Sequence, residues 1–215
     1  HNDIKTRSGH YQYLISNYQK TLINLGAAGI QTVCYNFMPV VDWTRTNLEY
    51  LLPDNSQALR FDIVDFAVYD IFVLQRSGAS NSYDKSVVEG ARERFGGLDQ
   101  RAVAALENNI IAGLPGGEGS YDRAGILAAI EHFTQFDNEA YRQNLIAFLR
   151  DIMPAAEVAD INMWIHPDDP PFSLFGLPRV LSTAEDVRKL VAAVPSASNG
   201  LTLCAGSFGA RGDNN

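Results

Sequence analysis

The sequence predicts an α/β fold with a parallel sheet. Three observations carry this: a helix running into a strand near the start, a strand, helix, strand succession near the end, and a train of helices between them. Over residues 11–25 the apolar positions Tyr13, Leu14, Tyr18, Leu22 and Leu25 recur at helical spacing, and Gly26 with Gly29 supplies the stop. Residues 30–37 are β-branched and aromatic and read as a buried strand, with Cys34 as a small core hydrophobe. Residues 38–52 show no clean period and read as a long loop leaving the strand, while residues 57–76 mix patterns and yield no assignment. Helices are predicted over 86–95, 98–112, 120–133 and 138–152, separated by Gly-Gly, Pro-Gly-Gly and Asp-Asn breaks. Simple alternation would place strands among them, so residues from about 82 to 152 are expected to form a helical insertion. A strand over 161–166, a helix over 183–193 with Glu185 and Asp186 in its first turn, and a strand over 201–204 resume the alternation. Alternation alone fits either a barrel or an open flavodoxin-like sheet. Without an internal repeat or a long flexible linker, residues 1–215 read as one domain.

The composition excludes several function classes. With 46% hydrophobic and 20% charged residues the chain is that of an ordinary globular protein. A formal net charge of -8 argues against nucleic acid as a partner, because such binding rests on phosphate neutralisation. No apolar run approaches the roughly 20 residues of a membrane span. Two distant cysteines are not a disulfide framework, so a reducing, cytoplasmic setting is expected. The opening His1-Asn2-Asp3 has neither an initiator methionine nor signal-peptide regions, as in a sequence cut from a longer one.

Two side chains stand out for chemistry. His166 closes its predicted strand and leads into the acidic, rigid Pro167-Asp168-Asp169-Pro170-Pro171, and Cys204 closes the next. Parallel strands end on one side, so imidazole and thiolate would meet there as a plausible half of a first-row metal site. A strand-end histidine and a buried thiol would look the same, and no third ligand is evident. After Cys204 the glycine-rich 205–211 reads as a turn whose Ser207 and Arg211 could hold a carboxylate. The loop after the first strand offers Asn36, Asp42, Trp43 and Arg45, a set suited to a polyhydroxy acid. His10 and His132 read as helix-adjacent and solvated or capping, and the Arg211-Gly212-Asp213 tripeptide as a chance match.

Three blocks resemble the mannonate dehydratase family: Val33-Cys34-Tyr35-Asn36-Phe37-Met38-Pro39-Val40 with Asp42-Trp43-Thr44-Arg45-Thr46; residues 165–171 continuing to Leu177-Pro178-Arg179; and residues 204–211. The resemblance spans essentially the whole chain, loosely in the helical insertion. It implies a (β/α)8 TIM barrel of the xylose-isomerase-like group, incomplete in this chain, and loss of water from D-mannonate to give 2-dehydro-3-deoxy-D-gluconate in hexuronate breakdown. It also implies Mn2+ or Fe2+ held by two histidines, a cysteine and an aspartate, with His166 and Cys204 as two of them. The remaining ligands and the acid/base pair are expected beyond Asn215. Arg45, Ser207 and Arg211 become candidates for gripping the substrate, with Asn36 and His1 as wall residues. A homo-oligomer is compatible with this picture. A metal-dependent barrel isomerase or epimerase is the enzymatic rival, and a non-catalytic sugar-acid-binding fragment the other. The isolated chain is expected to be poorly folded or inactive, because an open barrel exposes edge strands.

Overall fold

The computed structural model describes residues 1–112 and 122–214. The predicted Pro115-Gly116-Gly117 break and the start of the helix predicted from Ser120 lie outside the described residues. The chain divides into two compact units, His1–Pro39 with Gln135–Ser173 and Leu177–Asn215, and Val40–Thr134 with Leu174–Gly176.

The first unit holds the parallel sheet. Strands β1 (Thr32–Tyr35), β4 (Asn162–Ile165) and β5 (Asn199–Leu201) pair in the order β1-β4-β5, all parallel, with Cys34 opposite Trp164 and Trp164 opposite Gly200. Cross-strand partners share a face and successive residues alternate. Met163 and Ile165 are therefore buried on the face covered by helices α2 (Tyr11–Ala27) and α7 (Asn138–Val158). There Phe148 meets Tyr18 and Tyr35 edge-on at 5.3 and 5.8 Å. Burial in this layer pushes the Tyr18 phenol up to about 12 and raises the Tyr35 phenol well above its ordinary value. Gly26 lets α2 approach the end of α7 closely, since a Cβ there would run into the Ala159 carbonyl oxygen.

The opposite face of the sheet carries Cys34 and Trp164, both exposed in this chain, where the sequence predicts a core position for Cys34. A strand's alternation assigns two faces but does not say which is covered. Neighbouring strands lie about 4.8 Å apart, so β1 and β5 are separated by about twice that. Nevertheless Cys34 Sγ lies 3.2 Å from Thr202 Oγ1. Side chains this short bridge the intervening strand only if the sheet is concave toward that face.

Helix α8 (Ala184–Ala193) connects β4 to β5. It starts with a capping box: Thr183 Oγ1 accepts from the Asp186 amide, and the Asp186 carboxylate accepts from the Thr183 amide. Asp186 also receives Arg142 Nη2 at 2.8 Å, so the cap is tied to α7. Thr183→Ala should lower stability by about 1 kcal/mol, read from chemical denaturation. Strand β5 ends at Leu201 rather than at Cys204, and residues 205–209 form a short helix, α9 (Ala205–Gly209), rather than a turn. Its two glycines disguise it locally.

In the second unit, the predicted loop over 38–52 contains β2 (Asn47–Leu51), which forms an antiparallel hairpin with β3 (Gln57–Arg60). The hairpin's alternation is half-exposed, and its sequence signal is correspondingly weak. Asp62 caps α3 (Ile63–Val68) by accepting from Val64 N and Asp65 N, and a π-helical turn, Tyr69–Val73, extends it. Helices α4 (Lys85–Gly96), α5 (Gln100–Ala112) and α6 (Arg123–Phe133) follow close to their predicted spans. Arg94 of α4 donates to Asp62 and Asp65 of α3. Among the described residues no helix is long and apolar enough to cross a membrane.

Candidate metal and sugar-acid site

Alternation places Asn36, His166 and Thr202 in register with the concave face, just past the ends of β1, β4 and β5. The ladder continues there through His166 N to Tyr35 O at 2.7 Å and Thr202 N to Ile165 O at 2.9 Å. Trp164 lies one step below His166. It leans across β5 because residue 200 is glycine: a Cβ there would lie 2.7 Å from Trp164 Cδ1.

The loops that leave these strand ends are bound to one another. The Asp169 amide points at Met38 Sδ, 3.1 Å away, joining the β4 loop to the β1 loop. Arg211 Nη1 donates to Pro171 O at 2.8 Å and Ser207 Oγ to Asp169 Oδ2 at 3.3 Å, joining the β4 loop to α9. Asp168 anchors the same loop from below. Its carboxylate, 3% exposed, accepts from Leu181 N at 2.7 Å and Ser182 Oγ at 2.8 Å. Burial pushes the Asp168 pKa up, opposed by the Arg179 charge and these two hydrogen bonds. Sequence reasoning saw only an acidic loop here; the burial of one of its carboxylates depends on the distant 179–182 segment.

His166 is half-buried, and its Nδ1 lies 2.8 Å from the Pro167 carbonyl oxygen. A carbonyl only accepts, so Nδ1 carries the proton and the neutral ring's lone pair is on Nε2, the arrangement a metal-binding imidazole needs. Cys204 is a free, half-buried thiol at the N-cap of α9. Imidazole and thiolate form a donor pair that suits a first-row divalent ion better than a hard oxygen-seeking one. Among the described residues no group of three or more His, Cys, Asp and Glu side chains could hold a metal ion. By donor chemistry the two side chains suit such an ion as part of a ligand set, not as a whole one.

The candidate substrate contacts fall in different surroundings. Ser207, 2% exposed, is engaged with Asp169 and with Cys204 Sγ, each at 3.3 Å. Arg211 forks onto Asp213 through Nε and Nη2 at 2.8 and 2.6 Å, which holds its guanidinium above the usual arginine range. Asn36 Oδ1 accepts from Met38 N at 3.2 Å. His1 is exposed at the start of α1 (Asn2–Thr6), and the same helix brings Lys5 Nζ to within 2.8 Å of Met38 O. Nothing in the local sequence singles out that cation, whose place beside the β1 loop depends on packing. Arg45 belongs to the second unit, where it donates to Thr44 O at 2.9 Å. Its loop holds Val40 and Trp43 in left-handed conformations, at φ 62 and 47°, unusual for such side chains. His10 and His132 are both exposed, beside and on helices.

The family model for D-mannonate dehydratase (UxuA) matches residues 1–215. The mannonate dehydratase of Saccharophagus degradans is 61% identical over 214 residues, covering 100% of this chain and 54% of that relative. Mannonate dehydratase 2 of Agrobacterium fabrum is 51% identical over 200 residues, covering 93% and 50%. A crystal structure of mannonate dehydratase from Streptococcus suis serotype 2 superposes with a TM-score of 0.70 at 33% identity, over 100% of this chain and 48% of that one. The chain thus spans about half the length of these relatives.

Proposed function

We infer, from the premise that this chain belongs to the D-mannonate dehydratase family, that the full-length protein is a cytoplasmic lyase. It removes water from D-mannonate to give 2-dehydro-3-deoxy-D-gluconate. The observation that carries the reading is the family match over every residue of the chain, accompanied by 61% identity to a named mannonate dehydratase. We further read residues 1–215 as part of one (β/α)8 barrel of the xylose-isomerase-like group, with the helices of about 82–152 as an insertion. Three adjacent parallel strands and a sheet concave toward the His166 side support this, since a closing barrel needs both.

In this reading the reaction takes the proton from C2, acidified by the neighbouring carboxylate, and expels the C3 hydroxyl. His166 through Nε2 and Cys204 through Sγ would hold Mn2+ or Fe2+ together with ligands from the part of the protein outside this chain. The bound ion supplies Lewis-acid stabilisation of charge on the substrate oxygens. The chain's own part is orientation. Arg211 would exchange Asp213 for the substrate carboxylate, and Asn36 and His1 would line the wall. The general acid and base, within hydrogen-bond reach of C3 and C2, come from residues outside 1–215. The thiolate separates this reading from a barrel isomerase or epimerase, whose hard-metal sites favour oxygen donors.

The test is turnover by the full-length protein. Supplied with Mn2+ under reducing conditions, it should convert D-mannonate to the 2-keto-3-deoxy acid, lose activity in EDTA and recover it with Mn2+ or Fe2+. A ketose or epimer as product would replace the dehydratase reading with the isomerase one. Substrate binding without any product would leave a sugar-acid-binding protein.

A further inference from the structure

We propose that Ser207 is a positioning residue for Cys204: it ties the metal-binding sulfur to the loop that carries His166, and does not itself contact substrate. The proposal rests on reading Cys204 as a metal ligand and adds a residue that the ligand set does not contain. Three observations lead to it. Ser207 is 2% exposed, so its hydroxyl has little access to a ligand on the open face. Its Oγ lies 3.3 Å from Cys204 Sγ, three residues earlier at the start of the same helical turn, a spacing that brings an N-cap side chain and the third helical residue together. It also lies 3.3 Å from Asp169 Oδ2, on the loop that begins at His166.

The hydroxyl has one proton and two acceptors, and both are groups whose positions matter to the site. Asp169 is fixed to the β1 loop through the Met38 sulfur, and Arg211 clamps α9 to Pro171. Ser207 thus sits where the loops after β4 and β5 meet, and a sulfur held from that point has its rotamer set before any ion arrives. A preset ligand loses less side-chain freedom on binding, so the effect belongs in metal affinity rather than in the chemical step.

The experiment is Mn2+ titration of the full-length protein against a competing fluorescent chelator, for the wild type and for Ser207→Ala, Ser207→Thr, Asp169→Ala and Cys204→Ser, with the apoprotein's circular dichroism recorded for each. Ser207→Ala should raise the Mn2+ Kd about 10–100-fold, the range typical of groups that orient metal ligands, with the helical signal retained. Ser207→Thr keeps the hydroxyl and should restore affinity. Asp169→Ala, which removes the other end of the link, should raise the Kd in the same direction and serves as the deciding variant if Ser207→Ala fails to fold. Wild-type affinity in both Ser207→Ala and Asp169→Ala, beside a clear loss in Cys204→Ser, overturns the positioning role and leaves the metal reading intact. Wild-type affinity in Cys204→Ser, or no Mn2+ binding by the wild type, overturns both.

Discussion

Cys204→Ser in the full-length protein should lower Mn2+ affinity by more than about 100-fold and abolish D-mannonate turnover at micromolar metal. The reasoning is coordination chemistry. A thiol gives up its proton to a divalent ion near neutral pH, whereas a serine hydroxyl does so reluctantly and remains a weak neutral donor. Loss of an ion's own ligand should exceed the roughly 10–100-fold typical of its supporting groups. The same substitution should remove the metal's contribution to stability. An ion at about 100 times its Kd adds about 2.7 kcal/mol to the folded state, so EDTA should lower the melting temperature of the wild type and leave that of Cys204→Ser unmoved. Equal metal content and equal rate in the two proteins would make Cys204 an ordinary thiol and move the isomerase and binding-protein readings ahead.

Asp70→Ala should destabilise the second unit by about 3–5 kcal/mol, the cost of leaving a buried charge without its partner. Asp70 is 0% exposed within the π-helical turn, and its carboxylate accepts from Arg76 Nε at 2.8 Å, Arg76 Nη2 at 2.6 Å and Tyr83 Oη at 2.8 Å. Burial disfavours the Arg76 charge, but the hydrogen bonds and charge of Asp70 outweigh it and hold the guanidinium above its usual range. Burial and the Asp70 charge push the Tyr83 phenol up in turn. Hydrogen exchange of the α3 and α4 amides should accelerate about 10²–10⁴-fold in the variant if these helices open with the network. Replacing both partners, Asp70→Leu with Arg76→Met, should restore most of the protection, because an apolar pair leaves no uncompensated charge. Unchanged exchange in Asp70→Ala would show that the network contributes little to holding this unit together.

Neither buried network was legible in the sequence: the one around Asp70 is built from residues close along the chain, and the one around Ser207 joins segments far apart in it. Asp70 and Arg76 lie in the stretch whose patterns gave no single answer, because a π-helical turn fits neither the helical nor the strand period, and Ser82 and Tyr83 fall at the start of the expected helical insertion. Ser207 looked like part of a glycine-rich turn, since Gly206 and Gly209 lower helix propensity on either side of it. The β2–β3 hairpin was missed for a related reason: its strands bury little, and little burial leaves little alternation. Where burial was one-sided and sustained, as in α2, α7 and α8, the period gave the element to within a few residues, with the end of α7 running six residues further than predicted.

By itself the sequence determined the α/β class, the parallel connection around α8, and the place of His166 at the end of β4 to within one residue, together with motifs specific enough to identify a family. Those features rest on local periodicity, turn chemistry and residue identity, all written along the chain. The tertiary structure alone decided that Cys34 lies on the open face of the sheet, that Asp168 and Ser207 are buried, and that Asp169, Ser207 and Arg211 join the β4 and β5 loops. Burial and loop-to-loop hydrogen bonds depend on which segments pack against each other, and a one-dimensional pattern does not encode that choice.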